Sequence, residues 1–449
     1  MTARTHARDS RSTTHCIAVI GAGYVGLPTA ATLAHFGHRV VLAEREEKRL
    51  AALRSGRMPI VEAGLDDLVA GGVAAGNLSF SASAIEAVVG ADFVFLCVPT
   101  PQGADGSADL SYVEAAAKEI GPHLEAGTIV VNKSTVPVGS ATMVEQVIGR
   151  PDIRVVSNPE FLREGTAVVD SLHPDRIVVG ADDSQAAARV GELFSSTGAP
   201  LIVTDATTSE TIKYSSNAFL ATKLSFVNAL AAVCEEVGAD VRDVMLGLGY
   251  DKRIGFDFLR PGPGWGGSCL PKDTRALLHI AQEAGYDFSL LAGAIASNEQ
   301  QLARVLSKVE VACGGSVDGV TVGAWGLTFK ANTDDRRDSP SLQITQRLLA
   351  LGATVQAFDP TVPVAPGGEM GAELVPEDLS GLSLRADPYE AASGASAIVV
   401  LTEWDEFRWL DFRRLLGVMA QPSIVDARNL LDPAAVRRLG FTYAGIGRQ

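Results

Sequence analysis

Cys269 sits in the segment GPGWGGSCLPKD, whose small residues let a ligand approach the backbone closely. The chain has five cysteines, Cys16, Cys97, Cys234, Cys269 and Cys313, with no CxxC pair and no metal-ligand spacing. Four of them lie in apolar or helical contexts and read as inert thiols. Cys269 differs. Pro271 suits the first turn of a helix, PKDTRALLHIAQEAG. The thiol then falls at or just before a helix N-terminus, where the dipole and free N–H groups favour a thiolate. Lys272 and Asp273 follow three and four residues on and return to the same side. A cation there lowers the thiol pKa further. Such a setting suits covalent catalysis; the plainer reading is a glycine-rich loop with an incidental thiol.

Other spacings could serve the same chemistry. Lys213 and Asn217, in ETIKYSSNAF, put a cation and an amide on one helix face. Alone, that pair reads as a solvated stripe. Asn158-Pro-Glu160-Phe-Leu-Arg-Glu164-Gly follows a strand, so Glu160 and Glu164 could be acid/base groups or caps for the next helix. Ser134-Thr135-Val-Pro-Val-Gly also lies at a strand end, where ligands bind in open α/β sheets. Gly21, Gly23 and Gly26 form G-x-G-x-x-G between a strand and a helix, with Tyr24 and Val25 inside the turn. Glu44 ends the next strand and can bind both ribose hydroxyls of a dinucleotide. Arg45 follows it directly and leaves the choice of NAD over NADP open at this point.

These residues need a scaffold, and the chain supplies one. CIAVI, HRVVLAE, FVFLCVP, TIVVNKS, RVVSNP and RIVVG read as strands alternating with helices. That pattern predicts a parallel sheet with helices on both faces. From Thr204 the chain turns mostly helical, interrupted by LRPGPGWGGSCLPKD. Strands return with VTVGAWGL, ATVQAFDP, AIVVLTEW and SIVDARN, and Asp359 ends the second of them as Glu44 does earlier. The expected fold class is α/β. Two Rossmann-like doubly wound domains, 15–203 and 315–449, flank a central helical domain, 204–314, after a disordered tail, 1–14. Lys330, Arg336 and Arg337 lie near the G-x-x-G turn of the last section, as a phosphate-binding loop or a solvated one.

Composition bounds the function. The 449 residues carry a formal charge of −15, which argues against nucleic acid or an anionic membrane as partner. No apolar run is read as approaching the ~20 residues of a membrane span, and the polar first residues are not a secretory signal. An odd, scattered set of cysteines suits a reduced cytoplasm.

Taken in order, the motifs G-x-G-Y-V-G-L, C-V-P-T-P, S-T-V-P-V-G, N-P-E-F-L-x-E-G, K-x-x-x-N, G-G-S-C-x-P-K-D, F-K-x-x-T-D-D-x-R and D-x-R-N resemble the UDP-glucose dehydrogenase family over nearly the whole chain. The resemblance implies a four-electron oxidation of a nucleotide-sugar with NAD, through a thiohemiacetal and a thioester on Cys269. It implies that Lys213 and Asn217 stabilise oxyanions, and that Glu160 is the base for thioester hydrolysis. Thr135 and Asp273 position a water, and Lys272 assists near the thiol. It places Gly21, Gly23, Tyr24, Val25, Gly26, Glu44, Thr100, Thr135, Glu164 and Arg337 at NAD. Phe161, Leu162, Lys213, Arg253, Phe258, Gly266, Lys330 and Arg428 fall to the nucleotide-sugar. Arg253 matches an arginine contributed by a partner subunit, which makes the helical section the interface of a homodimer. Trp265 and Arg163 depart from the commonest pattern near these contacts and are expected to tune sugar or base preference.

Phe161-Leu162 and the S-C-x-P-K-D form look like the glucose branch. UDP-glucose is the expected substrate, with dTDP-glucose keeping the same sugar and diphosphate contacts. Two other classes share parts of the pattern: a two-electron dehydrogenase of the 6-phosphogluconate or hydroxyacid type, and a nucleotide-binding protein without turnover. No metal is expected.

Overall fold

A computed structural model describes residues 14–103, 106–362, 379 and 381–448. The tail expected over residues 1–14 lies outside them except for Thr14. The chain forms two compact units, Met1–Pro101 with Ala108–Lys213, and Gln102–Ser107 with Tyr214–Gln449.

In the first unit, eight short strands make one sheet. They are β1 (Cys16–Ile20), β2 (Arg39–Ala43), β3 (Leu78–Ser81), β4 (Phe93–Leu96), β5 (Ile129–Asn132), β6 (Arg154–Ser157), β7 (Ile177–Gly180) and β8 (Leu201–Thr204). Their order is β3-β2-β1-β4-β5-β6-β7-β8. The period of two sends alternate residues into separate cores. Ile17 and Val19 pack on one face with Leu27 and Phe95; Ala18 and Ile20 pack on the other with Val94 and Val130. Both faces are covered, so β4, FVFL, is buried throughout.

The all-parallel expectation fails at one junction. β6 meets β7 antiparallel, at Ser157 opposite Gly180. The only helix between them, Ala167–Leu172, has six residues and rises ~9 Å. A parallel return along a four-residue strand needs ~13 Å.

The second unit repeats the arrangement. Its strands are β9 (Thr321–Trp325), β10 (Thr354–Phe358), β11 (Leu382–Leu384), β12 (Ala397–Val400), β13 (Ser423–Asp426) and β14 (Thr442–Gly445). Their order, β11-β10-β9-β12-β13-β14, matches the first six strands of the other sheet. Helices lead the chain into it. Ala206–Val237 has 32 residues, followed by Leu270–Glu283 and Ser289–Ala312. Val227 and Ala231 of the first, and Val305 and Val309 of the last, join one core with Val322 and Val355 of the sheet.

Ala206–Val237 also corrects an expectation. It is long and apolar enough to cross a bilayer by length and composition alone, and half of its most apolar window is buried inside the protein. Glu210 and Lys213 on the same helix are buried as well.

Candidate active site

The first glycine turn follows β1. Gly21 has φ 101°, and a Cβ there would lie 2.7 Å from the Cys97 carbonyl oxygen. A Cβ at Gly26 would collide with the Gly21 carbonyl oxygen. Both glycines are therefore demanded by the fold. Gly23 is not: a Cβ there meets nothing within 4 Å. Its bareness leaves room for a ligand to come close, which fits a dinucleotide pyrophosphate. Tyr24 and Val25 pack half-buried against the core. The helix Gly26–His35 starts without a side-chain cap.

Glu44 is held at the end of β2. Its Oε2 accepts from Ala22 N at 3.1 Å, and its Oε1 accepts from Glu46 N at 2.9 Å. Arg45, the residue that left the NADP question open, turns away and pairs with Glu119. The guanidinium beside the carboxylate that faces the turn is that of Arg49, 3.4 Å from Glu44 Oε2. Thr100 Oγ1 donates to Thr135 O at 2.8 Å, tying the ends of two strand loops together.

A charged cluster is buried after β6. Lys213 Nζ donates to Glu160 Oε1 at 2.9 Å and to the Glu160 carbonyl oxygen at 2.7 Å. Glu160 Oε2 accepts from Leu162 N at 2.6 Å. Burial pushes the Glu160 carboxyl up, but Lys213, the Leu162 N–H and the charge of Lys133 hold it below its ordinary value. The Phe161 ring stacks under Arg176, whose Cζ is 3.6 Å from its centroid. Glu164 is half-buried, and the helix start it was read as capping is served by Glu62. That carboxylate accepts from Gly165 N at 2.7 Å and Ala167 N at 2.8 Å.

In the second unit Cys269 is the N-cap residue of Leu270–Glu283, with Pro271 in the first turn. Its Sγ lies 3.5 Å from Ser268 Oγ. Asp273, one turn on, is fully buried. Its Oδ2 accepts from Asn217 Nδ2 at 2.5 Å and its Oδ1 from Lys272 Nζ at 2.6 Å. Lys272 therefore neutralises Asp273 as well as standing near the thiol in sequence.

The glycines before the thiol are packed tight. A Cβ at Gly266 would strike the Asp338 carbonyl oxygen, and one at Gly267 would lie 2.8 Å from the Phe329 ring. Trp265 lies inside the loop. It is buried, its Nε1 donates to Ser225 Oγ at 2.9 Å, and its backbone is bracketed by Asn298. It fastens the loop. Arg163 is likewise drawn off, into a bidentate pair with Asp170.

Among the other expected substrate residues, Phe258 adopts φ 59°. Arg428 donates to the Leu401 and Phe329 carbonyl oxygens at 2.7 and 2.6 Å. Lys330 lies 5.4 Å from the Phe329 centroid. Arg337 grips Asp335 at 2.8 and 2.7 Å, and Arg253 pairs with Asp251 on an exposed loop.

The second turn is held by its own carboxylate as the first is by Glu44, but at two N–H groups instead of one. Asp359 is buried, and its Oδ2 accepts from Leu327 N at 2.7 Å and Thr328 N at 3.2 Å. Where Gly23 leaves open space in the first turn, the corresponding position here is Thr328, whose N–H is also taken by Asp359.

Two residues of the first cluster escaped the sequence reading, Lys133 and Arg176. Lys133 could have been found: it is a cation directly after TIVVN, at the end of a buried strand. Arg176 precedes a strand and gave no such signal.

Comparison with known proteins follows the same division. Signatures of the UDP-glucose/GDP-mannose dehydrogenase family match in order: the NAD binding domain over residues 15–197, the central domain over 207–300 and the UDP binding domain over 323–433. A UDP-glucose 6-dehydrogenase of Rhizobium meliloti is 47% identical over 442 residues, 96% of this chain and 99% of that protein. One from Pseudomonas aeruginosa is 44% identical, covering 96% of this chain and 97% of that protein. A solved UDP-glucose dehydrogenase from Pyrobaculum islandicum superposes with TM-score 0.87 at 35% identity, covering 98% of this chain and 99% of that one.

Proposed function

Because the chain belongs to the UDP-glucose/GDP-mannose dehydrogenase family and is an NAD-dependent oxidoreductase, we propose that it oxidises carbon 6 of UDP-glucose to a carboxylate through a thioester on Cys269. The observation that carries this reading is Cys269 at the head of Leu270–Glu283, one turn before a buried Asp273 bound to Asn217 and Lys272. The glucose substrate rests on the relatives described above and the uridine on the UDP binding signature.

The open space at Gly23 and the oriented Glu44 fit NAD. When bound, NAD accepts the hydride that carbon 6 loses in each oxidation. The chain's own residues do the rest. Cys269 Sγ adds to the aldehyde carbon, and the carbonyl π electrons move to oxygen. Lys213 and Asn217 donate hydrogen bonds to that oxyanion. After the second oxidation, water attacks the thioester carbon while Glu160 takes its proton. The C–S bond breaks, the thiolate leaves, and the carboxylate is free. Thr135 and Asp273 position the water, and Lys272 favours the thiolate.

Glu44, Thr100, Thr135, Glu164 and Arg337 would contact NAD. Phe161, Leu162, Phe258, Gly266, Lys330 and Arg428 would hold the nucleotide-sugar, with Arg253 supplied by the partner subunit. The dimer would form on the helical section. Phe219, Phe226 and Val233 recur every seven residues on Ala206–Val237 and are exposed. The proposed domains are 15–203, 204–314 and 315–449. A reducing cytoplasm agrees with five cysteines that form no disulfide among the described residues.

The test is stoichiometry. Two NADH per UDP-glucose and a carboxylate product are expected. One NADH and a stable ketone would overturn the thioester route, and faster turnover of dTDP-glucose would overturn the choice of base.

A further inference from the structure

The turn after β6 carries Glu160, Phe161, Leu162 and Arg163 in a row. Polar contacts fix both of its ends. Glu160 is bound by Lys213 and by the Leu162 N–H, and Arg163 by Asp170. The ring of Phe161, between them, can take part in no bond of that kind. Among the described residues it also joins neither apolar core of the first unit. It is half-buried, and what meets it is charge. The Arg176 guanidinium lies 3.6 Å from the ring centroid, and Lys213 Nζ lies 5.4 Å from it.

The other two cations of this cluster have polar partners. Lys213 holds Glu160, and Lys133 donates to Asn158 Oδ1 at 3.1 Å. Arg176 does not. Among the described residues its guanidinium makes no hydrogen bond and no ion pair, although Asp175 is its neighbour in the chain. Arginine suits such a place. Its planar face is weakly hydrated and can lie on a ring, while its edge N–H groups stay in water. A lysine has no face to offer.

The contact follows from the reversed strand. Ser157 stands opposite Gly180 because β7 runs against β6. Four residues on from Ser157 and four back from Gly180 bring Phe161 beside Arg176. Asn158 Nδ2, which donates to Val178 O at 2.8 Å, marks the way between. A parallel β7 would start at the opposite end of the sheet, and the ring would lose its cover.

We propose that Arg176 is a positioning residue for the nucleotide-sugar: lying on the Phe161 ring, it holds the Phe161-Leu162 turn in the shape that the sugar meets. This rests on the substrate role given to Phe161 and Leu162 above. The plainer role for Arg176 is to pin the start of β7 to the end of β6, with no effect on the sugar.

Four variants of the full chain separate the roles. Arg176→Lys keeps the charge and removes the planar face. Arg176→Gln removes the charge and most of the face. Phe161→Leu removes the ring, and Phe161→Leu with Arg176→Gln completes a cycle. Arg176→Gln and Arg176→Lys should each raise KM for UDP-glucose by about tenfold, with kcat within about twofold. Phe161→Leu should raise KM to a similar extent, and adding Arg176→Gln to it should cost less than about a further twofold. The Kd for UDP, which lacks the sugar, and the Kd for NAD should stay within about twofold in every variant. A pin alone predicts lower thermal midpoints with KM unchanged in both Arg176 variants. A direct contact of Arg176 with the substrate predicts the same rise in KM with or without the ring. Either result overturns the proposal. The cycle also tells its failure from that of the substrate reading. If Phe161→Leu raises KM and Arg176→Gln does not, only the proposal fails. If Phe161→Leu leaves KM unchanged, the substrate role of the ring fails, and the proposal falls with it.

Discussion

Lys213 Nζ touches Glu160 twice, at Oε1 and at the main-chain oxygen, and both side chains are almost wholly withdrawn from solvent. A pair so placed is worth little net, yet breaking it is expensive. Lys213→Ala should destabilise the first unit by about 3 kcal/mol, because an uncompensated carboxylate remains inside. Urea unfolding checks this. Replacing both partners by apolar residues should cost less than removing Lys213 alone.

The same pair sets a pH dependence. Glu160 is held below its ordinary value in the folded chain. Its contribution to stability is therefore complete above the unfolded value, near ~4.3, and is lost as pH falls through the lower folded value. Thermal midpoints should drop on acidification below that point. The Glu160→Gln chain should show a shallower drop.

Cys269→Ser should lower kcat by about a thousandfold or more and leave NAD affinity within about twofold. Isothermal titration with NAD and an NADH absorbance assay give both quantities. Substantial turnover in this variant would remove the covalent step.

Gly23 and Gly26 should answer differently to a methyl group. Gly26→Ala forces a Cβ into the Gly21 carbonyl oxygen, so the apo protein itself loses stability. Gly23→Ala meets open space, so apo stability should be kept while NAD binding weakens by about tenfold or more. Thermal denaturation with and without NAD distinguishes the two.

Trp265→Phe removes the indole N–H that Ser225 accepts. A loss of about 1 kcal/mol is expected, with the ratio of UDP-glucose to dTDP-glucose turnover unchanged. A changed ratio would return Trp265 to the specificity role that its position in the sequence suggested.

The strands that escaped the sequence share a location. β3, β8, β11 and β14 were not recognised as strands, and all four are outer strands of their sheets. An inner strand is covered on both faces and is largely apolar, as FVFL and AIVV are. An outer strand escapes that demand: LSFS mixes polar and apolar residues, and LIVT is largely exposed. The glycine turn was legible because its geometry restricts residue type. So was the N-cap place of Cys269, announced by Pro271. The partners were not legible. That Trp265 seeks Ser225, Arg45 seeks Glu119 and Lys133 seeks Asn158 depends on which loops the fold brings together, and spacing along the chain does not encode it.

Asp359 has a kinetic consequence. By filling its own turn, it leaves a chain with two sheets of the same order but, among the described residues, one turn open to a dinucleotide. In the proposed reaction, two oxidations of one sugar would then queue at a single dock. On that proposal the half-oxidised sugar would have to stay bound between the two. A tether to sulfur is what would make that wait safe: an intermediate moored to the chain does not drift off during the exchange.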